Sequence, residues 1–150
     1  MQGKKTSFIF VCVFLSFIFW GCGGQKSVIS ASEFFLLEDS TLQFSAEQAW
    51  IAFSGNKFEQ QNGFSFNPGF TTSYYWLAVK YDTASSSNEK LEIGTSQINV
   101  IEFYRIEKDR PVKKYTTGDH LPFSSRPERS LNYLFPLDHH YPYYLLKIDK

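Results

Sequence analysis

From Glu33 to Lys150 the chain alternates short apolar and aromatic runs with clusters of turn-forming residues, at intervals of about 8–15 residues. Each run is long enough for one strand and too short for a helix, so the pattern predicts an all-β sandwich or barrel. The clearest run is "SYYWLAVKYD" (Ser73 to Asp82). As a strand it sets Tyr75, Leu77, Val79 and Tyr81 on one face and Trp76, Ala78, Lys80 and Asp82 on the other. "KLEIG" and "INVIEFYRIE" predict two more strands, and in the second Ile101 and Phe103 alternate with Val100, Glu102 and Tyr104. "EKDRPV" (Glu107 to Val112) predicts a hairpin-like turn, while "SLNYLFPLD" and "YYLLKI" predict two last strands flanking "HHYP". Pro136 has no N–H for a central ladder, which puts its run at a strand end or a sheet edge. The expected core is Leu77, Val79, Ile93, Ile101, Phe103 and Phe135.

Helical periodicity occurs once. In "SAEQAWIAF", Ser45 is placed to cap a helix and Gln48 stands three residues later, the spacing of a capping box. One short helix near residues 45–53 is predicted, packed through Ala49, Trp50 and Phe53. Internal repeats and heptads are absent from the sequence.

The first residues follow a different rule. Lys4 and Lys5 precede the 13-residue apolar run "FIFVCVFLSFIFW", which is shorter than the ~20 residues a membrane-spanning helix needs and has the length of a signal-peptide core. "GCGGQKS" follows, and a small residue before a cysteine resembles the processing site of bacterial lipoproteins. Residues 1–21 are therefore expected to be a signal peptide, Cys22 the lipidated first residue, residues 22–32 a flexible tether and residues 33–150 the folded domain. Phe19 and Trp20 depart from the usual pattern at this place.

Composition narrows the function. With 43% hydrophobic and 19% aromatic residues the chain is globular, and its 15 basic and 15 acidic residues form no basic stripe suited to nucleic acid. Removal of residues 1–21 discards two lysines and leaves a formal charge of −2. It also discards Cys12, one of the two cysteines, so the domain has no disulfide and depends on its core for stability. About 129 residues suffice to bury on the order of two-thirds of the unfolded surface.

Candidate chemistry concentrates in "KYTTGDHLPFSSRP" (Lys114 to Pro127). As a tight turn, Gly118 supplies a positive φ, Asp119 caps nearby backbone N–H groups, and Pro122 and Phe123 pin the loop to the end of the sandwich. As a binding element, Asp119 and Arg126 are polar groups at a sandwich rim, with Asp119 orienting Arg126. A metal site among Asp119, His120, Asp138, His139 and His140 is not expected, because adjacent His139 and His140 point in opposite directions on a strand or turn. Catalysis is not expected either. Glu92, Glu102 and Asp119 are the carboxylates a glycoside hydrolase would need, yet none lies in a recognisable motif, and nucleophile elbows and phosphate-cradling glycine loops are absent.

In order and spacing, "FFLLEDSTLQFSAEQAW", "GFTTSYYWLAV", "LEIGTSQINVIEFY", "TTGDHLPFSSRP", "YLFPLD" and "YYLLKI" resemble one family across residues 33–150. It is the extracellular sensing module, type 2, of bacterial seven-transmembrane receptors with diverse intracellular signalling modules. Its most specific parts here are Leu37-Glu38-Asp39, Tyr75-Trp76-Leu77, and Thr117-Gly118-Asp119 with Pro122, Phe123 and Arg126. The resemblance implies a jelly-roll β-sandwich related to carbohydrate-binding modules, exported to the periplasm or cell surface, that senses a ligand without catalysis or cofactor. The chain ends at Lys150, just after its last predicted strand, so the expectation is either part of a longer receptor or a lipoprotein. Membrane attachment is then through the lipid on Cys22 or through a transmembrane region outside this sequence.

The expected ligand is a small carbohydrate-like molecule bound on the Trp76 face, where an aromatic ring stands beside the charged Lys80; the equal alternative is that Trp76 is buried under a second layer. Ala78 occupies the place where the family resembles "YWLRF" and has arginine. Without that bidentate donor an acidic ligand is disfavoured and a neutral sugar favoured, since Lys80 offers only a point charge. The competing expectation is an envelope lipoprotein whose sandwich docks on another protein.

Overall fold

Strand β3, Tyr74–Lys80, is buried along both faces, and the rest of the domain is arranged around it. The computed structural model describes residues 32–62, 71–84, 89–94 and 97–150. The expected signal segment 1–21 and Cys22 lie outside them.

Six antiparallel strands form the main sheet in the order β2-β1-β3-β8-β5-β6. They are β1 (Glu33–Asp39), β2 (Glu59–Gln61), β3, β5 (Val100–Glu107), β6 (Arg110–Thr117) and β8 (Tyr143–Asp149). A second sheet pairs only β4 (Lys90–Ile93) with β7 (Tyr133–Pro136). The fold is all-β with one short α-helix, as the strand pattern predicts, and its two sheets are of very unequal size.

Register decides which side chains share a face. Leu77 pairs with Leu36 on β1 and with Leu146 on β8, and Leu146 pairs in turn with Phe103 on β5. This face meets Leu91, Ile93, Tyr133 and Phe135 of the small sheet in a single apolar cluster. Phe103 stacks on Phe135 with ring centroids 4.7 Å apart and planes 1° from parallel. All six expected core residues are in this cluster, each 5% exposed or less. Pro136 ends β7 in the two-stranded sheet, where its missing N–H interrupts no central ladder.

The opposite face carries Trp76, Ala78, Tyr104, Ile106 and Leu145, and it is covered by helix α1, Ala46–Ser54. Ser45 Oγ accepts from the Gln48 N–H, and the Gln48 side chain accepts from the Ser45 N–H at 2.8 Å, so the predicted capping box is present. The helix turns Ala46, Ala49, Ala52 and Trp50 inward. Those alanines let its backbone approach Ala78 and Leu145, which are 1% and 0% exposed. Phe53 packs against the same cluster as predicted, at its half-buried margin.

Two turns explain how the chain reaches these positions. Lys108 and Asp109 have φ of 49° and 59°, the positive pair of a type I′ turn, whose twist suits the β5–β6 hairpin. At the end of β1, the buried Asp39 carboxylate accepts from the N–H and hydroxyl of Thr41 at 3.1 and 2.6 Å and from the Phe44 N–H at 2.9 Å. This staple turns the chain from sheet to helix. Burial alone would raise the Asp39 pKa, but these hydrogen bonds outweigh it and hold the group below its ordinary 3.8.

A carboxyl depressed in the folded state stabilises the fold above its unfolded pKa, and the contribution is lost as pH falls through the folded value. Stability measured by urea unfolding should therefore drop below about pH 4. The Asp39→Ala variant should be roughly 2 kcal/mol less stable at pH 7 and show a smaller decline in acid. Equal stability of variant and wild type at pH 7 would remove the staple from this account.

Candidate functional site

The four expected ligand residues fall in three places. Trp76 and Lys80 share a face of β3, but α1 lies across it and leaves one cleft at each end of the helix. Asp119 and Arg126 lie together in the loop after β6.

Trp76 does not offer an open ring. It is 1% exposed, with Tyr104 6.2 Å away and the Lys147 ammonium 5.8 Å from its ring. Of the two expectations for Trp76, an open sugar platform or a ring buried under a second layer, the structure has the second, and the reason is physical. A strand third from one edge of a covered sheet is buried on both faces, so alternation along it does not separate core from solvent. Ala78 lies under α1 in the same layer, where an arginine side chain has no room.

The cleft at the C-terminal end of α1 has a volume of about 460 Å³ and includes Lys80. Its apolar wall is an aromatic cluster: Trp50 stacks on Phe53 at 5.2 Å and meets Tyr143 at 5.5 Å, and Phe53 meets Phe35 and Phe58 edge-on. Its polar rim holds Asn56, Asp109 and the Lys80–Glu33 pair, in which the ammonium reaches both carboxylate oxygens at 3.2 and 3.3 Å. With two carboxylates and one ammonium, the rim has a formal charge of −1.

The cleft at the N-terminal end, about 380 Å³, is lined by Trp76, Glu102, Tyr104, Lys113 and Lys147, among others. Glu102 accepts from the Tyr104 hydroxyl at 2.6 Å and from Lys113. Burial would raise the Glu102 pKa, but the hydrogen bonds from Lys113 and Tyr104 pull it below the usual range. Burial, and then the bond to Glu102, push the Tyr104 phenol far up. The Trp76 Nε1 has no hydrogen-bond partner among the described residues.

The loop stretch begins inside β6, which runs to Thr117. Gly118 follows with φ of 147°, and a Cβ there would sit 2.2 Å from the Asn99 carbonyl oxygen, so only glycine fits. The Asp119 and His120 N–H groups then donate to the carbonyls of Ile98 and Asn99. The Asp119 carboxylate accepts from the Tyr133 hydroxyl at 2.7 Å instead of capping backbone, and lies 3.6 Å from Arg126. Burial first, and then the Asp119 bond, push the Tyr133 phenol up to about 12. Arg126, only 11% exposed in its side chain, donates to the carbonyls of Ser130 and Leu131 and lies over the Tyr133 ring at 4.4 Å. Phe123, expected to anchor the loop, is 52% exposed, and the anchor is Arg126 on Tyr133.

The remaining candidates are dispersed. Glu92 accepts from Asn132, whereas Glu102 and Asp119 are engaged in the separate networks above. Asp138, His139 and His140 are drawn together, with the two imidazole centroids 4.0 Å apart. The expectation that adjacent histidines point apart is therefore corrected: residues 139–140 form a turn, which folds both rings toward Asp138.

Arg126 satisfies two carbonyls and one carboxylate with a single planar fork, a geometry lysine cannot reproduce. Arg126→Lys should cost about 2 kcal/mol in urea unfolding and speed proteolysis between residues 118 and 132. Unchanged stability and cleavage would show that the loop is held by other contacts.

Comparison with known proteins adds two findings. A search of curated proteins finds no match to the chain. The family model for the 7TMR-DISM extracellular 2 domain matches residues 31–150, which span every element from β1 to β8. No helix among the described residues is long and apolar enough to cross a membrane. The chain belongs to the 7TMR-DISM extracellular 2 family, the exported sensor module of bacterial seven-transmembrane receptors, a generally non-catalytic domain.

Proposed function

We propose that this sensor domain recognises a small neutral carbohydrate in the cleft at the C-terminal end of α1. The observation that carries the reading is the combination in one cleft of an aromatic wall with a rim of paired donors and acceptors. Sugars have apolar C–H faces that pack on aromatic rings and hydroxyls that exchange hydrogen bonds with such a rim. The rim charge of −1 opposes uronic acids and phosphosugars. Of the four residues expected from sequence, Lys80 is assigned the ligand contact. Trp76 is buried beneath α1 at the other cleft, and Asp119 and Arg126 hold a loop. Lipidation at Cys22, followed by a short tether, would keep the domain at the membrane surface where a receptor samples its ligand.

A thermal-shift screen on the chain from Gly23 onward, with neutral and acidic sugars, tests the reading. A bound neutral sugar at a hundredfold excess over its Kd should add about 2.7 kcal/mol of stability. Lys80→Ala should weaken that sugar about tenfold or more, because the ammonium no longer donates to a hydroxyl. Stabilisation only by acidic sugars, or a neutral sugar that binds Lys80→Ala as tightly as wild type, would contradict it.

A further inference from the structure

The turn before β8 gathers a carboxylate and two imidazoles whose ligand atoms lie within 4.8 Å of one another. We propose that Asp138, His139 and His140 form a binding site for a late first-row divalent cation such as zinc or copper(II). The donor chemistry selects this class, because imidazole nitrogen with one carboxylate oxygen suits zinc, copper and nickel, whereas calcium and magnesium require mostly oxygen.

The distances are close to those an ion would need. Asp138 Oδ1 lies 2.7 Å from His140 Nδ1 and 4.0 Å from His139 Nδ1. Ligands bound tetrahedrally at about 2.1 Å stand about 3.4 Å apart, so the first gap opens and the second closes by roughly 0.6–0.7 Å. Small side-chain rotations achieve this, since the histidine side chains are 43% and 70% exposed. Water fills the remaining coordination positions.

The backbone beneath is fixed. The Tyr144 hydroxyl accepts from the Asp138 N–H at 2.6 Å and donates to the Asp138 carbonyl at 2.9 Å, while the Tyr141 N–H donates to that same carbonyl. Tyr144 is itself 1% exposed in the core. Arg105 stands 3.6 Å from the other carboxylate oxygen and orients the group, while Oδ1 accepts from the His140 N–H at 3.0 Å and keeps a second lone pair for the ion. Binding exchanges the short Asp138–His140 contact for two metal bonds and leaves the arginine contact in place.

Zinc chloride titrated calorimetrically into the full chain in detergent micelles, with Cys12 and Cys22 alkylated, tests the site. One equivalent should bind, the double variant His139→Gln/His140→Gln should bind about tenfold or more weakly, and His120→Gln should bind as wild type. Circular dichroism should be unchanged in the double variant, because both rings are exposed. Independently of any variant, copper(II) should broaden the NMR signals of His139 and His140 before those of His120. Absence of binding, equal affinity in the double variant, or broadening of all three histidines together overturns the proposal.

Discussion

The double burial of β3 is the constraint on which the rest of the domain depends. Leu77 and Val79 need one apolar layer, and Trp76 and Ala78 need another. The first comes from the small β4–β7 sheet and the second from α1, so a two-sheet sandwich becomes a three-layer unit. The alanine face of α1 suits the small Ala78, and bulkier residues on either side would force the helix away from the sheet. Asp39 belongs to the same design, because its hydrogen bonds aim the chain from β1 into the helix that provides the cover.

That cover also determines where a ligand can be met. The Trp76 face of the sheet is closed by α1, and open clefts lie at the two ends of that helix. The C-terminal cleft combines aromatic rings with an ion pair that faces solvent, whereas in the N-terminal cleft Glu102 and Lys113 are engaged with Tyr104 in an internal network. The C-terminal cleft is lined at once by α1, β1 and β3, through Trp50, Glu33 and Lys80, so under the proposed function a ligand there would contact both helix and sheet.

Much of this was legible in the sequence where the signal is local. The capping box of Ser45 and Gln48, the turn in "EKDRPV" and the buried faces of Leu77 and Ile101 follow from rules that span a few residues. What stayed hidden is non-local. Strand β6, "RPVKKYTT", is polar because it is an edge strand with little to bury, so its pattern resembled a loop. Choosing between a solvent face and a covered one for Trp76 required knowing whether α1 returns over β3. A clue was present, since no polar residue interrupts "YYWLAV", as expected of a strand covered on both sides. The Asp119–Tyr133–Arg126 network joins residues up to 14 apart, beyond what turn chemistry describes. His139 and His140 converge because a turn, unlike a strand, does not alternate its side chains.

Fluorescence of Trp76 alone tests whether α1 seals the Trp76 face of the sheet. In a chain with Trp20→Phe and Trp50→Phe, Trp76 is the sole tryptophan. A sealed ring should give blue-shifted emission and strong resistance to acrylamide quenching, both lost together in urea. Emission and quenching equal to those of the unfolded chain under native conditions would mean that the ring faces water and that the helix does not cover the sheet.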